Sequence, residues 1–501
     1  MNQKKGGTIL SFAAIFIKIL VTFTYIPFVL DKIGKDNYGL FSVIGAIIAY
    51  IAILDFGIND STLRFFVRYR KEESEEQKKQ ILGSVSTIYL ILTGLVLLVS
   101  SIVYFCLPFL FSNTFSVQEM IVFKQMYLIS VVSVAFTIFF NPTGAIINAY
   151  EKFIILKLAD ILVFVATTIT IVIFLNFGYN IVMMVFVASF YNISNVLFKF
   201  FYVRTRIKIQ YPTYKPSKEL VKKIAFYAGP IFIVIVVEQI YWKLDNIIIG
   251  AMLGTTMVTF YAMGIVFQKY ILSFSTAISR IMTPDLIKKI DANYSLTKLT
   301  ENYIKTSRIQ LMVVMAIVVN LVFWGKPFLR VWLGEEYVVS YYVLVLVMIP
   351  FSIEIIGNLR NTFLQVYGYY WHRAIIILIV SVLNIGLTVL LIDKYGIIGA
   401  AGSTCVSLFL GYAATNFILW KKIGIDITAF FKQVWLKVVP VMVILGLLFL
   451  FLNNTYHITN WVELMIHFAI TSVVYLVAIW FLYLSIEEKK ILNKKKKFNA
   501  K

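Results

Sequence analysis

Cysteine and histidine are almost missing from this chain, with two of one and three of the other in 501 residues. Cys106 and Cys405 both fall inside long apolar runs, where a disulfide framework has no place and a cysteine serves as a small hydrophobic filler. His372, His457 and His467 share no metal-ligand spacing, and the chain contains no Walker loop, no dinucleotide fingerprint and no His-Glu-x-x-His segment. Soluble-enzyme chemistry therefore finds no seat in it. Charge is scarce too, at 14% of residues against ~25% in soluble domains. Acids are the scarcer sign: 25 stand against 46 lysines and arginines, a formal net charge of +21.

What is abundant is apolar side chain. Hydrophobic residues make up 60% of the sequence and the mean hydropathy is +0.85, so water cannot be the solvent of most of the chain. Runs of twenty or more apolar residues recur from end to end, each long enough to cross ~30 Å of hydrocarbon as a helix. The first, from Thr8 to Leu30, is too long for a signal-peptide core and reads as a retained span. Cutting at charged and turn-forming residues predicts an all-α polytopic membrane protein with about fourteen transmembrane helices. Short outer loops such as 176–179 and 251–256 leave no room for a soluble catalytic domain, so function must lie between helices.

The positive charge is not gathered into a nucleic-acid-binding face. It is divided among short segments between apolar runs, the pattern of topogenic charge and anionic-lipid contact. With fourteen spans, 36 of the 46 basic residues fall on the side that holds both termini. Only Lys32, Lys35, Lys124, Lys326, Arg330 and Lys394 fall in the opposite loops. The excess predicts that both termini are cytoplasmic.

Sliding the first half along the second reveals a repeat at an offset near 219. Ile33-Gly34 matches Leu253-Gly254, Pro108-Phe109-Leu110 matches Pro327-Phe328-Leu329, Asn141 matches Asn361, Tyr150 matches Tyr367, and Phe177-Gly178 matches Tyr395-Gly396. Six spans fit between matching points, so the copies are parallel, related by an axis along the membrane normal. The predicted organisation is an N-terminal lobe over 1–205, a linker over 206–223, a C-terminal lobe over 224–422, and two further helices with a basic tail over 423–501. Two lobes facing each other suit alternating access around a central cleft.

Ionisable residues inside spans are costly and normally face a bundle interior, a wet cavity or a partner. Lys18, Lys243 and Lys269 stand at mid-span, as do Glu238 and Asp245, which are two helical turns apart and share a face. The repeat carries Lys18 onto Glu238, which suggests a gate pair. Nearer the basic side lie Asp55, Arg64, Asp160, Arg280, Glu354 and Arg360. The cations Lys18, Lys243, Lys269, Arg280, Arg360 and Arg64 suit a diphosphate-bearing substrate. The acids Glu238, Asp245, Asp55, Asp160 and Glu354 are candidates for gating or for H+ or Na+ coupling, since no ATP site or other cofactor motif is present. Pro27 and Pro230, in the helices that open each repeat, predict kinks there.

The turn at Ile33-Gly34 leading to Tyr38-Gly39-Leu40-Phe41, the segment Asp55-Phe56-Gly57-Ile58 running to Leu63-Arg64-Phe65, and the 6+6+2 layout together resemble one family. It is the polysaccharide flippase (Wzx-type) branch of the multidrug, oligosaccharidyl-lipid and polysaccharide (MOP) exporter superfamily. The resemblance implies export of an undecaprenyl-diphosphate-linked oligosaccharide across the bacterial cytoplasmic membrane, for O-antigen or capsule. Its partners would be that lipid-linked glycan, membrane lipids, and a glycan polymerase with export machinery. A MATE-like drug antiporter shares the layout but calls for a more acidic or apolar cavity. A membrane glycosyltransferase or polymerase calls for a large outer loop that the sequence does not contain.

Overall fold

A computed structural model describes residues 3–53, 62–63, 66–67, 74–212, 216–455, 458–486 and 488–489, and no strand occurs among them. The first half contains α1 (Gln3–Ala52), α2 (Glu75–Phe111), α3 (Val117–Phe140), α4 (Pro142–Ala149), α5 (Phe153–Asn176) and α6 (Ile181–Tyr202). There follow α7 (Lys218–Leu253), α8 (Thr255–Ile265), α9 (Gln268–Asp291), α10 (Leu296–Leu333), α11 (Ser340–Ile355) and α12 (Arg360–Val366). The chain ends with α13 (Tyr370–Ile418), α14 (Val439–Thr455) and α15 (Trp461–Ala478).

Eleven helical stretches among the described residues are long and apolar enough to cross a bilayer. Two of them, Ala13–Ala52 and Tyr370–Ile423, contain two crossings each, folded at Gly34 and Gly396, and α7 adds another. Counted this way, the described residues hold about fourteen crossings, consistent with the number the sequence predicts. Large apolar side chains point outward all along these helices, Phe109 at 87% exposure and Leu390 at 76% among them. In water such a surface would be untenable; against acyl chains it is the ordinary outer face of a membrane bundle.

The duplication is visible in the backbone. Gly34 (φ 77, ψ 165) and Gly254 (φ 85, ψ −179) make the same turn 220 residues apart, in a conformation that a Cβ disfavours. Positive φ recurs in register at Glu151 and Gly368, at Gly178 and Gly396, and at Lys208 and Gly424. The last pair closes two matching π-helical turns, Val203–Ile207 and Leu419–Ile423. Both copies also divide their fourth crossing into a long helix and a short one, α3 with α4 and α11 with α12. Pro142 starts α4 because it lacks the amide needed to continue α3, and Gly357, at φ 97, ends the regular backbone after α11. Pro27, by contrast, sits inside α1, whose one non-helical residue is Gly34.

Packing divides the chain into two compact units, residues 1–262 with 385–400, and residues 263–384 with 401–501. In the first, α1 packs against α5, α3 and α7, and α3 packs against α6. In the second, α10 is the central post, in contact with α9, α11 and α15.

Candidate functional site

In the first unit, the two glycine turns that open the repeats meet along a seam. Thr256 donates its hydroxyl to the Asp36 carboxylate, Thr259 donates to the Lys35 carbonyl at 2.6 Å, and Thr255 donates to Glu119 at 2.9 Å. Thr114 closes the far edge on the Gly250 carbonyl at 2.9 Å. Approach is so close at Gly39 that an added Cβ would stand 1.9 Å from the Thr255 carbonyl oxygen. Below the seam, Asp245 is buried on α7 and accepts a 2.6 Å bond from the Tyr261 hydroxyl. A buried carboxylate held by a directed donor is fixed in place.

The cations of this unit are spread out. Lys18 is exposed on α1 with its ammonium 5.4 Å from the centre of the Phe164 ring, and Lys243 is half-buried on α7. The Glu238 backbone continues α7, but its side chain lies outside the described ones, and with it the expected pairing with Lys18. Asp55 and Arg64 likewise lie outside the described residues. Asp160 is held by Lys199 at 3.0 Å and Asn195 at 3.2 Å, an ion pair between α5 and α6.

The second unit contains a polar centre built around the broken crossing. A helix interrupted within a bilayer must place its freed amides and carbonyls on other groups. Here Ser275 donates to the Ile355 carbonyl at 2.8 Å, the Gly357 amide donates to Gln310 at 2.9 Å, and Tyr303 donates to the Gly357 carbonyl at 3.2 Å. The Gln310 amide in turn bonds Ser279 at 2.7 Å and Asn358 at 3.0 Å, so α9, α10 and the break form one network.

One turn on, Arg360 is fully buried at 0% exposure. Its guanidinium donates to Glu354 at 2.7 Å and to Asn416 at 3.2 Å, and lies 5.2 Å from the Tyr412 ring centre. Arg360 Nε and Glu354 Oε2 make no hydrogen bond within the protein among the described residues. Lys269 and Arg280 are exposed on α9, the former with its ammonium 5.0 Å from the Tyr270 ring. Of the predicted cations, then, Arg360 is not open to an incoming anion in this arrangement, because Glu354 already neutralises it.

Sequence reasoning passed over Gln310, Ser275, Ser279 and Asn358. Their signal was an amide and hydroxyls within apolar runs, which charge alone does not single out. It also passed over Arg308, which bonds Glu488 at 2.8 and 2.9 Å, the Gln433 carbonyl at 2.8 Å, and the Tyr483 carbonyl. This cluster ties the end of the last crossing to α10. Burial pushes the Glu488 carboxyl up, and its bonds from Arg308 and Ser485 outweigh that, so it titrates below its ordinary 4.5. A depressed carboxylate stabilises the fold above its unfolded value and loses that contribution as pH falls through its folded one. Glu488→Gln should therefore lower stability at neutral pH by about 2 kcal/mol. In thermal melts across pH, the gap from the native chain should close below about pH 4.5; a gap independent of pH would refute the assignment.

Two parallel six-helix copies and two further crossings, with a broken crossing and intramembrane charge in the copies, make up a multi-pass membrane protein with the architecture of the MOP exporters. The fold covers 95% of this chain and 98% of the lipid II flippase MurJ, in its inward closed conformation, with a TM-score of 0.71 at 20% identity. A MATE family multidrug resistance transporter of the MOP superfamily, inward-facing, aligns over 82% of this chain and 96% of its own, with a TM-score of 0.60 at 14% identity. At the level of sequence, a Shigella flexneri protein named as a candidate O-antigen transporter is 22% identical over 405 residues, 79% of this chain and 92% of that protein. Residues 4–283 match the model of one family, and the chain belongs to it: the polysaccharide biosynthesis protein family.

Proposed function

We propose that this protein flips an undecaprenyl-diphosphate-linked oligosaccharide across the bacterial cytoplasmic membrane by alternating access, for O-antigen or capsule assembly. The observation that carries the reading is the family match over residues 4–283, joined to a fold shared along nearly the whole chain with a lipid II flippase. In this reading the lobes over 1–205 and 224–422 rock about the linker 206–223, and both termini are cytoplasmic. The seam at Gly39 and Thr255 is the outer gate.

Lys18, Lys243 and Lys269, with Arg280 and Arg64, attract the diphosphate, while Arg360 joins them only when Glu354 releases it. Asp245 and Glu238 are the acids assigned to H+ or Na+ coupling; Asp160 and Glu354 act in ion pairs, and Asp55 stays with the coupling set. A glycan polymerase and export machinery receive the product. A drug-antiporter reading is supported by fold likeness alone.

Alanine at Lys18, Lys243 or Lys269 should each lower glycan export roughly tenfold or more, since a charge-assisted bond to phosphate contributes ~1.5–3 kcal/mol. Membrane insertion should be unchanged. Surface glycan measured in a strain relying on each variant checks this, and native export by all three would refute the cationic passage.

A further inference from the structure

The second unit carries a polar cleft apart from the broken crossing. Its volume is about 530 Å³, and it opens between the first turns of α10, the segment leading into α14, and the chain just past the last crossing. Arg308 and Glu488 line it and neutralise one another. Lys289, at its edge, is 2.7 Å from Asp285. The charge left to the cleft comes from Lys298, Lys305 and Lys437, all exposed, against one further acid, Glu301.

Location says which anions arrive. α10 runs for 38 residues, ~57 Å at the helical rise and nearly twice the hydrocarbon thickness, so its first turns stand at the membrane boundary or beyond it. Ser485, on the opposite wall, comes two residues after the π-helical turn Ile479–Tyr483 that ends the last crossing. Lipid phosphates lie at that level. Basic pockets between helices at a membrane boundary suit such headgroups.

We propose that this cleft binds the phosphate-bearing headgroup of an anionic lipid, held by Lys298, Lys305 and Lys437. The lipid bridges α10 to the last two crossings, which the sequence repeat leaves outside its two copies.

The test uses the purified full-length chain in mixed micelles of a neutral detergent and phosphatidylcholine. Cardiolipin or inorganic pyrophosphate is titrated in while thermal unfolding is followed. Cardiolipin should raise the midpoint saturably, and its half-saturating concentration should rise roughly tenfold in the Lys298→Gln, Lys305→Gln, Lys437→Gln triple variant. The triple Lys→Arg variant should respond as the native chain does, and Lys437→Gln alone should shift the same way by less. A native response from the triple glutamine variant overturns the site. Pyrophosphate acting as well as cardiolipin overturns the lipid assignment in favour of a free anion.

Discussion

Arg360→Ala is expected to lower the stability of the protein by about 3 kcal/mol. The reason is not the lost attraction so much as what stays behind. Arg360 is fully buried and its partner Glu354 is only 21% exposed, so truncation strands a carboxylate that water reaches poorly. Asn416 also loses its donor and Tyr412 the guanidinium beside its ring. Removing both charges should cost much less, because an apolar or neutral pair needs no compensation in that environment. Melting of Arg360→Ala, Glu354→Gln and Arg360→Met/Glu354→Gln in one detergent decides the matter. Most of the loss should be recovered in the double variant; a double variant as unstable as Arg360→Ala would show that packing, not charge, governs this position. Arg360→Lys keeps the charge but not the planar fork, and should fall between.

Gly39→Ala is expected to open the seam in the first unit. A methyl group there would meet the Thr255 carbonyl oxygen at 1.9 Å, and carbon and oxygen cannot share that distance. The obstacle is backbone, so no side-chain rotamer relieves it and the two turns must separate. Overpacking of this kind costs ~1–3 kcal/mol. Because Thr256 to Asp36 and Thr259 to Lys35 span the same contact, the shift should loosen both bonds. With Cys106 and Cys405 replaced by serine, a Thr256→Cys reporter should react with a membrane-impermeant maleimide roughly tenfold faster in the Gly39→Ala background. Glycan export should fall with it if the seam is the outer gate. Unchanged labelling would mean that the turns do not close against each other in the membrane.

Sequence alone determined the approximate number of crossings, because a run of apolar residues long enough to span hydrocarbon leaves a helix as the one backbone arrangement that satisfies itself. It also determined the repeat. Gly34 and Gly254 suit turns in which φ is positive, and their spacing of 220 stands in the sequence itself. The partners of the charges were decided only by tertiary structure. On a continuous helix, residues six apart point to different sides, so Glu354 and Arg360 could not meet. They pair because the backbone breaks between α11 and α12, and that break persists because Ser275, Gln310 and Tyr303 from two other helices satisfy its amide and carbonyls. Arg308 and Glu488 are 180 residues apart, and Gly39 is 216 from Thr255. Hydropathy is a local property of the chain, whereas which buried charge finds which donor depends on groups that only folding brings together.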